Sequence, residues 1–308
     1  MKPWLLIDTD PGVDDALAIL MAHRHGRIAG LSIAAGNVGL DRTVANALKL
    51  CDVLGADIPV FAGCPLPLVR SAADAAHVHG ADGFGDTGYL PSRRIAASEH
   101  AALAMLRISR EHAGEVTIVA LAPLTNLALA LRFDPTLPQR VPRLVVMGGA
   151  VSGRGNTTLA AEFNVGFDPE AAAIVFGAWP RLELVDWELT VRHALDLARC
   201  EAWLATDDPR ARFYAAISRK VRSFSRARGR TGLLAADALA MAVALEPGLV
   251  TAGEERHVAV ELDGTLTRGS TIVDWERRGS ASANARIVMA VDQARFEALV
   301  ASALGAIA

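Results

Sequence analysis

Four carboxylates, Asp8, Asp10, Asp14 and Asp15, fall within eight residues of the run Leu5-Leu6-Ile7-Asp8-Thr9-Asp10-Pro11-Gly12-Val13-Asp14-Asp15-Ala16. Carboxylates this close cannot all stay ionised at neutral pH without an opposite charge. Oxygen-only ligands on a tight turn suit a hard divalent ion such as Ca2+ or Mg2+. Helix capping is the competing account. It explains Asp14 and Asp15, which would gain about 0.3–1 kcal/mol each in the first turn of a helix. It leaves Asp8 and Asp10 unexplained, and the cluster ends an apolar strand, where open α/β sheets bind their ligands. The spacing therefore favours a metal or catalytic site.

Further along, Asn156, Glu162 and Asn164 lie in Gly155-Asn156-Thr157-Thr158-Leu159-Ala160-Ala161-Glu162-Phe163-Asn164, ahead of Asp168-Pro169-Glu170-Ala171. Asp168 reads as the cap of a helix. Amides and a carboxylate near a cation are what the vicinal hydroxyls of a sugar require, although Asn156 taken singly reads first as a turn residue, Gly-Asn being common turn chemistry. Asp237 opens the apolar run Ala238-Leu239-Ala240-Met241-Ala242-Val243-Ala244-Leu245 and reads equally as a cap or a metal ligand.

Something must bring these distant residues together. Apolar runs at 4–7, 29–35, 116–121, 143–147 and 182–185 read as buried strands, alternating with helical patterns at 13–24, 41–54, 99–113, 123–132 and 168–178. That alternation predicts an α/β fold with a mainly parallel, Rossmann-like central sheet flanked by helices. The strand ends would then carry Asp10, Asn37, Leu121-Ala122-Pro123 and Met147-Gly148-Gly149 to one crevice. Residues 63–92 and 148–168, rich in Gly, Pro and Asp, read as long functional loops, and 190–246 as a mainly helical segment. Residues 256–291, with a turn at Asp263-Gly264, read as a small peripheral antiparallel β region, and a terminal helix starts from Asp292.

The 308 residues, 52% of them hydrophobic, can bury one large core, and no linker or repeat divides them, so a single domain over 1–308 is expected. A net charge of -3 gives no electrostatic reason for nucleic acid or an anionic membrane as partner. The apolar run before Asp8 is too short for a signal peptide and no stretch approaches a membrane span, so a cytoplasmic protein is expected. Cys51, Cys64 and Cys200 fit no disulfide or metal pattern and read as reduced, buried thiols.

The motifs in order resemble the inosine-uridine preferring nucleoside hydrolase family. The likeness rests on Asp8 to Ala16, Gly36-Asn37, His79-Gly80-Ala81-Asp82-Gly83-Phe84-Gly85 and Ala122-Pro123-Leu124-Thr125-Asn126-Leu127-Ala128. Met147-Gly148-Gly149-Ala150, Ala161-Glu162-Phe163-Asn164 and Asp168-Pro169-Glu170-Ala171 extend it. The resemblance implies the nucleoside hydrolase fold, a small-molecule ribonucleoside as substrate, and a homo-oligomer, dimer or tetramer. It implies Ca2+ held by Asp10, Asp15, the Thr125 carbonyl and Asp237, with Asp10 as general base toward the attacking water. Asp14, Asn37, Asn156, Glu162 and Asn164 would hold the sugar. One position departs from the family pattern: Ala236 stands where many members have a histidine that protonates the leaving base. His79 is the replacement acid to consider, with stacking by Phe84, Trp187 or Phe224, or polarisation by Arg222, Arg226 or Arg228, as the other routes. Two competing functions follow: a riboside-binding homologue with little turnover, and a Mg2+-dependent phosphatase using Asp8 and Asp10. The phosphatase would need a cation for the phosphoryl group, yet Lys2, Lys49 and Lys220, the chain's only lysines, lie outside strand-end loops.

Overall fold

The computed structural model describes residues 2–306. Its strands are β1 (Trp4–Thr9), β2 (Arg27–Ile33), β3 (Val60–Ala62), β4 (Val116–Ala120), β5 (Arg143–Met147) and β6 (Leu182–Val185). They continue with β7 (Leu195–Asp196), β8 (Gly232–Leu233), β9 (Val250–Arg256), β10 (Val258–Val260), β11 (Thr271–Val273) and β12 (Ala285–Val291). Eight of them form the central sheet in the order β3-β2-β1-β4-β5-β6-β12-β9, parallel except for the edge strand β9. The order reverses between β1 and β4, and a crevice opens at their carboxyl ends, where Asp10 and Leu121 emerge.

Both faces of the sheet are covered, which is why its strands read as continuous apolar runs rather than alternating ones. Leu5 and Ile7 point into one core, with the helices Val13–His25, Leu40–Leu54, Ala236–Leu245 and Gln293–Ala303. Leu6 points into the other, with the helices Ala101–Glu111, Thr125–Phe133 and Pro169–Ala178. Of these helices, the five between Val13 and Ala178 lie within two residues of the expected spans, and Asp168 and Asp292 are caps through the amides of Ala171 and Arg295. The helix Ala236–Leu245 ends on Arg143 of β5, whose guanidinium donates to the carbonyls of Val243 and Ala244 at 2.7 Å each while pairing with Glu183. A cation at a helix C-terminus satisfies orphan carbonyls. Here it also fixes the helix that carries Asp237.

Residues 256–291 differ from expectation. Only β10 and β11 form a separate antiparallel pair, joined by the loop containing Asp263-Gly264. Strand β12 enters the central sheet parallel to β6, because Ala285, Ile287, Val288 and Val291 bury against the helices on both faces. Strand β3 is an addition, three residues long and bounded by Pro59 and Gly63, too short for a periodic signal. The long loops contain short helices, Ala76–His79 and Phe163–Phe167. The region 190–246 is helical as expected, apart from the β7–β8 pair. All three cysteines are buried free thiols. Among the described residues no helix is long and apolar enough to cross a membrane.

Candidate active site

Leaving β1 at Thr9, the chain turns through Asp10-Pro11-Gly12 into the helix that carries Asp14 and Asp15. Asp15 folds back over this turn. Its Oδ2 accepts the Gly12 amide at 3.0 Å, and its Oδ1 accepts the Thr9 hydroxyl at 2.5 Å and the Asp10 amide at 3.3 Å. Capping and site-building are thus the same interaction. Asn37, after β2, closes the turn from the other side: its amide donates to Asp10 Oδ2 at 2.6 Å, and its side chain to the Asp10 carbonyl at 3.1 Å and Asp15 Oδ2 at 3.0 Å. Glycine is required at two approaches. A Cβ on Gly12 would lie 2.6 Å from His79 Nδ1 and 2.7 Å from Asn37 Nδ2, and one on Gly36 would run into the Asp10 carboxylate.

Asp237, the second residue of Ala236–Leu245, meets this turn because its helix packs against Val13–His25. Oxygens of Asp14, Asp15 and Asp237 lie within 4.8 Å of one another, and Asp10 lines the same cavity. Asp14 Oδ1 is buried without a hydrogen-bond partner. Among the described residues no Lys or Arg forms an ion pair with any of the four; the nearest basic nitrogen is His79 Nδ1, 3.9 Å from Asp14. Burial raises all their proton affinities, Asp14 to about 6 and Asp10 and Asp237 well above the ordinary carboxylate range, with mutual repulsion adding to the effect on Asp10 and Asp237. Asp15 shifts in the same direction for the same reasons. Uncompensated buried oxygens, one of them without a donor, match the ligand preference of a hard divalent cation.

The wall opposite in sequence is made by 147–164. Glu162 caps the helix Phe163–Phe167, accepting the amides of Asn164 at 3.0 Å, Val165 at 3.2 Å and Gly149 at 2.9 Å. Burial still pushes its carboxyl up to about 7. Asn164 donates from Nδ2 to the carbonyls of Leu121 at 2.7 Å and Met147 at 3.2 Å, bridging the ends of β4 and β5. Glu162, Asn164, Asn156, Asn37, Asp10, Asp14 and Asp237 all border one cavity of about 520 Å³.

Other candidates fall elsewhere. Asp8 is fully buried beneath the cavity, its Oδ1 accepting Ser32 Oγ at 2.6 Å and Asn126 Nδ2 at 3.0 Å. A nucleophile held there meets no substrate, which removes the structural basis for the phosphatase reading. Thr125 is buried outside the residues that line the cavity, and its hydroxyl donates to Asp168 Oδ2 at 2.7 Å. His79 borders the cavity, but its Nδ1 accepts the Val13 amide at 3.1 Å and burial lowers its pKa to about 4. It is a neutral ring at pH 7, a poor general acid. Phe84 packs edge-on against Phe213 in the core, and Arg222 pairs with Glu201 at 2.5 Å, as does Arg226. Trp187, Phe224 and Arg228 do border the cavity, the Arg228 guanidinium 3.8 Å from the Phe224 ring centroid. Tyr214, Phe163 and Arg230 line it as well and were not singled out from sequence. For Tyr214 the signal was available: Phe213, Tyr214 and Ile217 form the buried stripe of the helix Pro209–Ala227.

A family model described as inosine-uridine preferring nucleoside hydrolase matches residues 5–298. The chain is 38% identical over 300 residues to a non-specific ribonucleoside hydrolase, RihC, of Klebsiella pneumoniae, and 36% identical over 302 residues to that of Salmonella enteritidis, covering 96% of each chain in both cases. Among solved structures it superposes on an inosine-guanosine nucleoside hydrolase with a TM-score of 0.92 at 32% identity, over 100% of both chains. A plant nucleoside hydrolase gives 0.91 at 31% identity, over 99% of both. With the sheet, the acidic turn and the polar wall all in place, the chain belongs to the inosine-uridine preferring nucleoside hydrolase family and is an enzyme of that metal-dependent class.

Proposed function

We propose that this chain hydrolyses the N-glycosidic bond of ribonucleosides in a Ca2+-dependent reaction, giving ribose and free base. The observation that carries the reading is the convergence of uncompensated buried carboxylates and amides on one cavity of sugar size. Asp10, Asp15, Asp237 and the Thr125 carbonyl would hold the cation, with Asp14 at its border with the sugar. Once bound, Ca2+ would neutralise the cluster, lower the pKa of a water and give two ribose hydroxyls an electrophilic partner.

The residues of the chain do the rest. Asp10 is anchored through Oδ2 by the Asn37 amide, and among the described residues its Oδ1 has no hydrogen-bond donor, so it is the oxygen free to take a proton from the attacking water. Burial first, and the charges of Asp15 and Asp14 after it, raise its proton affinity, the direction a base requires. Glu162, held by three amides, and Asn156 and Asn164 offer oxygens to the sugar as it acquires oxocarbenium character, binding it more tightly than the ground state. Departure of the base is the weak step. Ala236 donates no proton, and His79 is better read as positioning the turn through Val13. Stacking on Trp187 or Phe224 and the charge of Arg228 are the remaining aids.

The test is a panel of purine and pyrimidine ribonucleosides assayed for ribose release, with Ca2+ present and after chelation. Metal-dependent release supports the reading. A protein that binds ribosides by calorimetry yet releases no ribose in a single-turnover experiment is a binding homologue instead.

A further inference from the structure

Between Met147 and Asn156, both at the cavity, the chain crosses a segment with no strand or helix, so its backbone amides need partners from elsewhere. Three of them are served by one short stretch. Asp186 Oδ2 accepts the Val151 amide at 3.0 Å, and the Glu188 carboxylate accepts those of Ser152 at 2.9 Å and Arg154 at 3.2 Å. Between these two acids Trp187 lines the cavity, and its own amide donates to the Gly149 carbonyl at 3.0 Å. Gly149 in turn donates to Glu162. A continuous run of hydrogen bonds therefore joins Glu162, the segment leading to Asn156, and Trp187. Asp186 has a second duty, capping the helix Trp187–Arg192 through the Leu189 amide at 2.8 Å. Glu188 caps no helix: its carboxylate accepts the segment's amides and shares a hydrogen bond with the neighbouring Asp186.

We infer that Glu188 is a positioning residue: by clamping residues 152–154 it keeps Asn156 in register with Trp187 in the same cavity, and so sets how tightly a riboside is held without touching it. A carboxylate accepting backbone amides makes stronger bonds than a neutral acceptor, and holding a binding group in place is worth more than its contact alone suggests. The kinetic side of the inference rests on the hydrolase reading above; the clamp itself does not.

The experiment compares Glu188→Ala and Glu188→Gln with wild type in the full-length, Ca2+-loaded protein. Amide hydrogen exchange should accelerate at Ser152 and Arg154 by about 10-fold or more in Glu188→Ala and by less in Glu188→Gln, which keeps one acceptor oxygen. KM for a ribonucleoside should rise about 10-fold in Glu188→Ala with kcat within about two-fold, as expected when binding common to ground and transition states is lost. In an Asn156→Ala background the same substitution should add little, because its effect passes through Asn156. Unchanged exchange at those amides in both variants overturns the clamp. An unchanged KM, or a full KM effect that persists without Asn156, overturns the positioning role. If the wild type cleaves no riboside, the hydrolase reading is what has failed, and exchange with calorimetric ribose titration still decides the clamp.

Discussion

Replacing Asp237 by Asn should stabilise the metal-free protein and yet weaken the metal-loaded one. The oxygens of Asp14, Asp15 and Asp237 approach within 4.8 Å, and two unit charges at that distance repel by about 3.5 kcal/mol at an effective dielectric of 20. Fully ionised, the three pairs cost about 10 kcal/mol; Asp237→Asn removes two of them. The wild type escapes part of that cost by holding protons: burial first, with repulsion adding for Asp15 and Asp237, raises the proton affinity of all three. The net gain for the chelated variant at pH 8 is therefore put at about 3 kcal/mol, or a Tm higher by about 5 °C for a chain this long. The sign with pH follows. A group whose folded pKa is raised stabilises fully below its unfolded value near 3.8 and loses that contribution as pH climbs through the folded value, here about 6 for Asp14 and well above the ordinary carboxylate range for Asp237. The advantage of the variant should accordingly shrink by pH 5. Excess Ca2+ should raise the wild-type Tm far more than that of Asp237→Asn. Calorimetric scans with chelator and with Ca2+, at pH 5 and pH 8, measure all four cases. A chelated variant that melts below chelated wild type at pH 8, or an equal Ca2+ shift in both proteins, would refute the electrostatic account.

Asp10→Asn should keep the fold and most of the metal affinity but lower kcat by about 10²–10⁴, the usual worth of a general base; turnover near wild type with normal metal content would reassign the proton acceptor. Without an acid at Ala236, p-nitrophenyl riboside, whose leaving group needs no proton, should be cleaved faster than inosine or uridine by a similar ~10²–10⁴ factor. Ala236→His should narrow that gap by raising the nucleoside rate; equal wild-type rates on both substrates would mean that stacking or another acid already compensates.

The sequence alone determined the architecture and the identity of the acidic turn. Both depend on local patterns: apolar runs alternate with amphipathic helices over spans long enough to be read, and the four aspartates are neighbours in the chain. The pairing of that turn with Asp237 was a matter of folding, because the two segments meet only through packing of the helices Val13–His25 and Ala236–Leu245, the second anchored by Arg143. Tertiary structure also separated look-alikes. Asp8 and Asp10 differ by two positions, yet Asp8 still lies in β1, bonded to Ser32 and Asn126, whereas the chain has left the strand at Asp10 and turns it into the cavity. Phe84 and Trp187 are both aromatic, but Phe84 packs in the core and Trp187 faces the cavity. His79 looked like an acid until the Val13 amide occupied its Nδ1, and β12 looked peripheral until its apolar residues met both cores. Residue type and local spacing name the groups that can do chemistry. Burial, hydrogen-bond partners and charge neighbours, set by contacts from some two dozen to more than two hundred residues apart in the chain, decide which of them do.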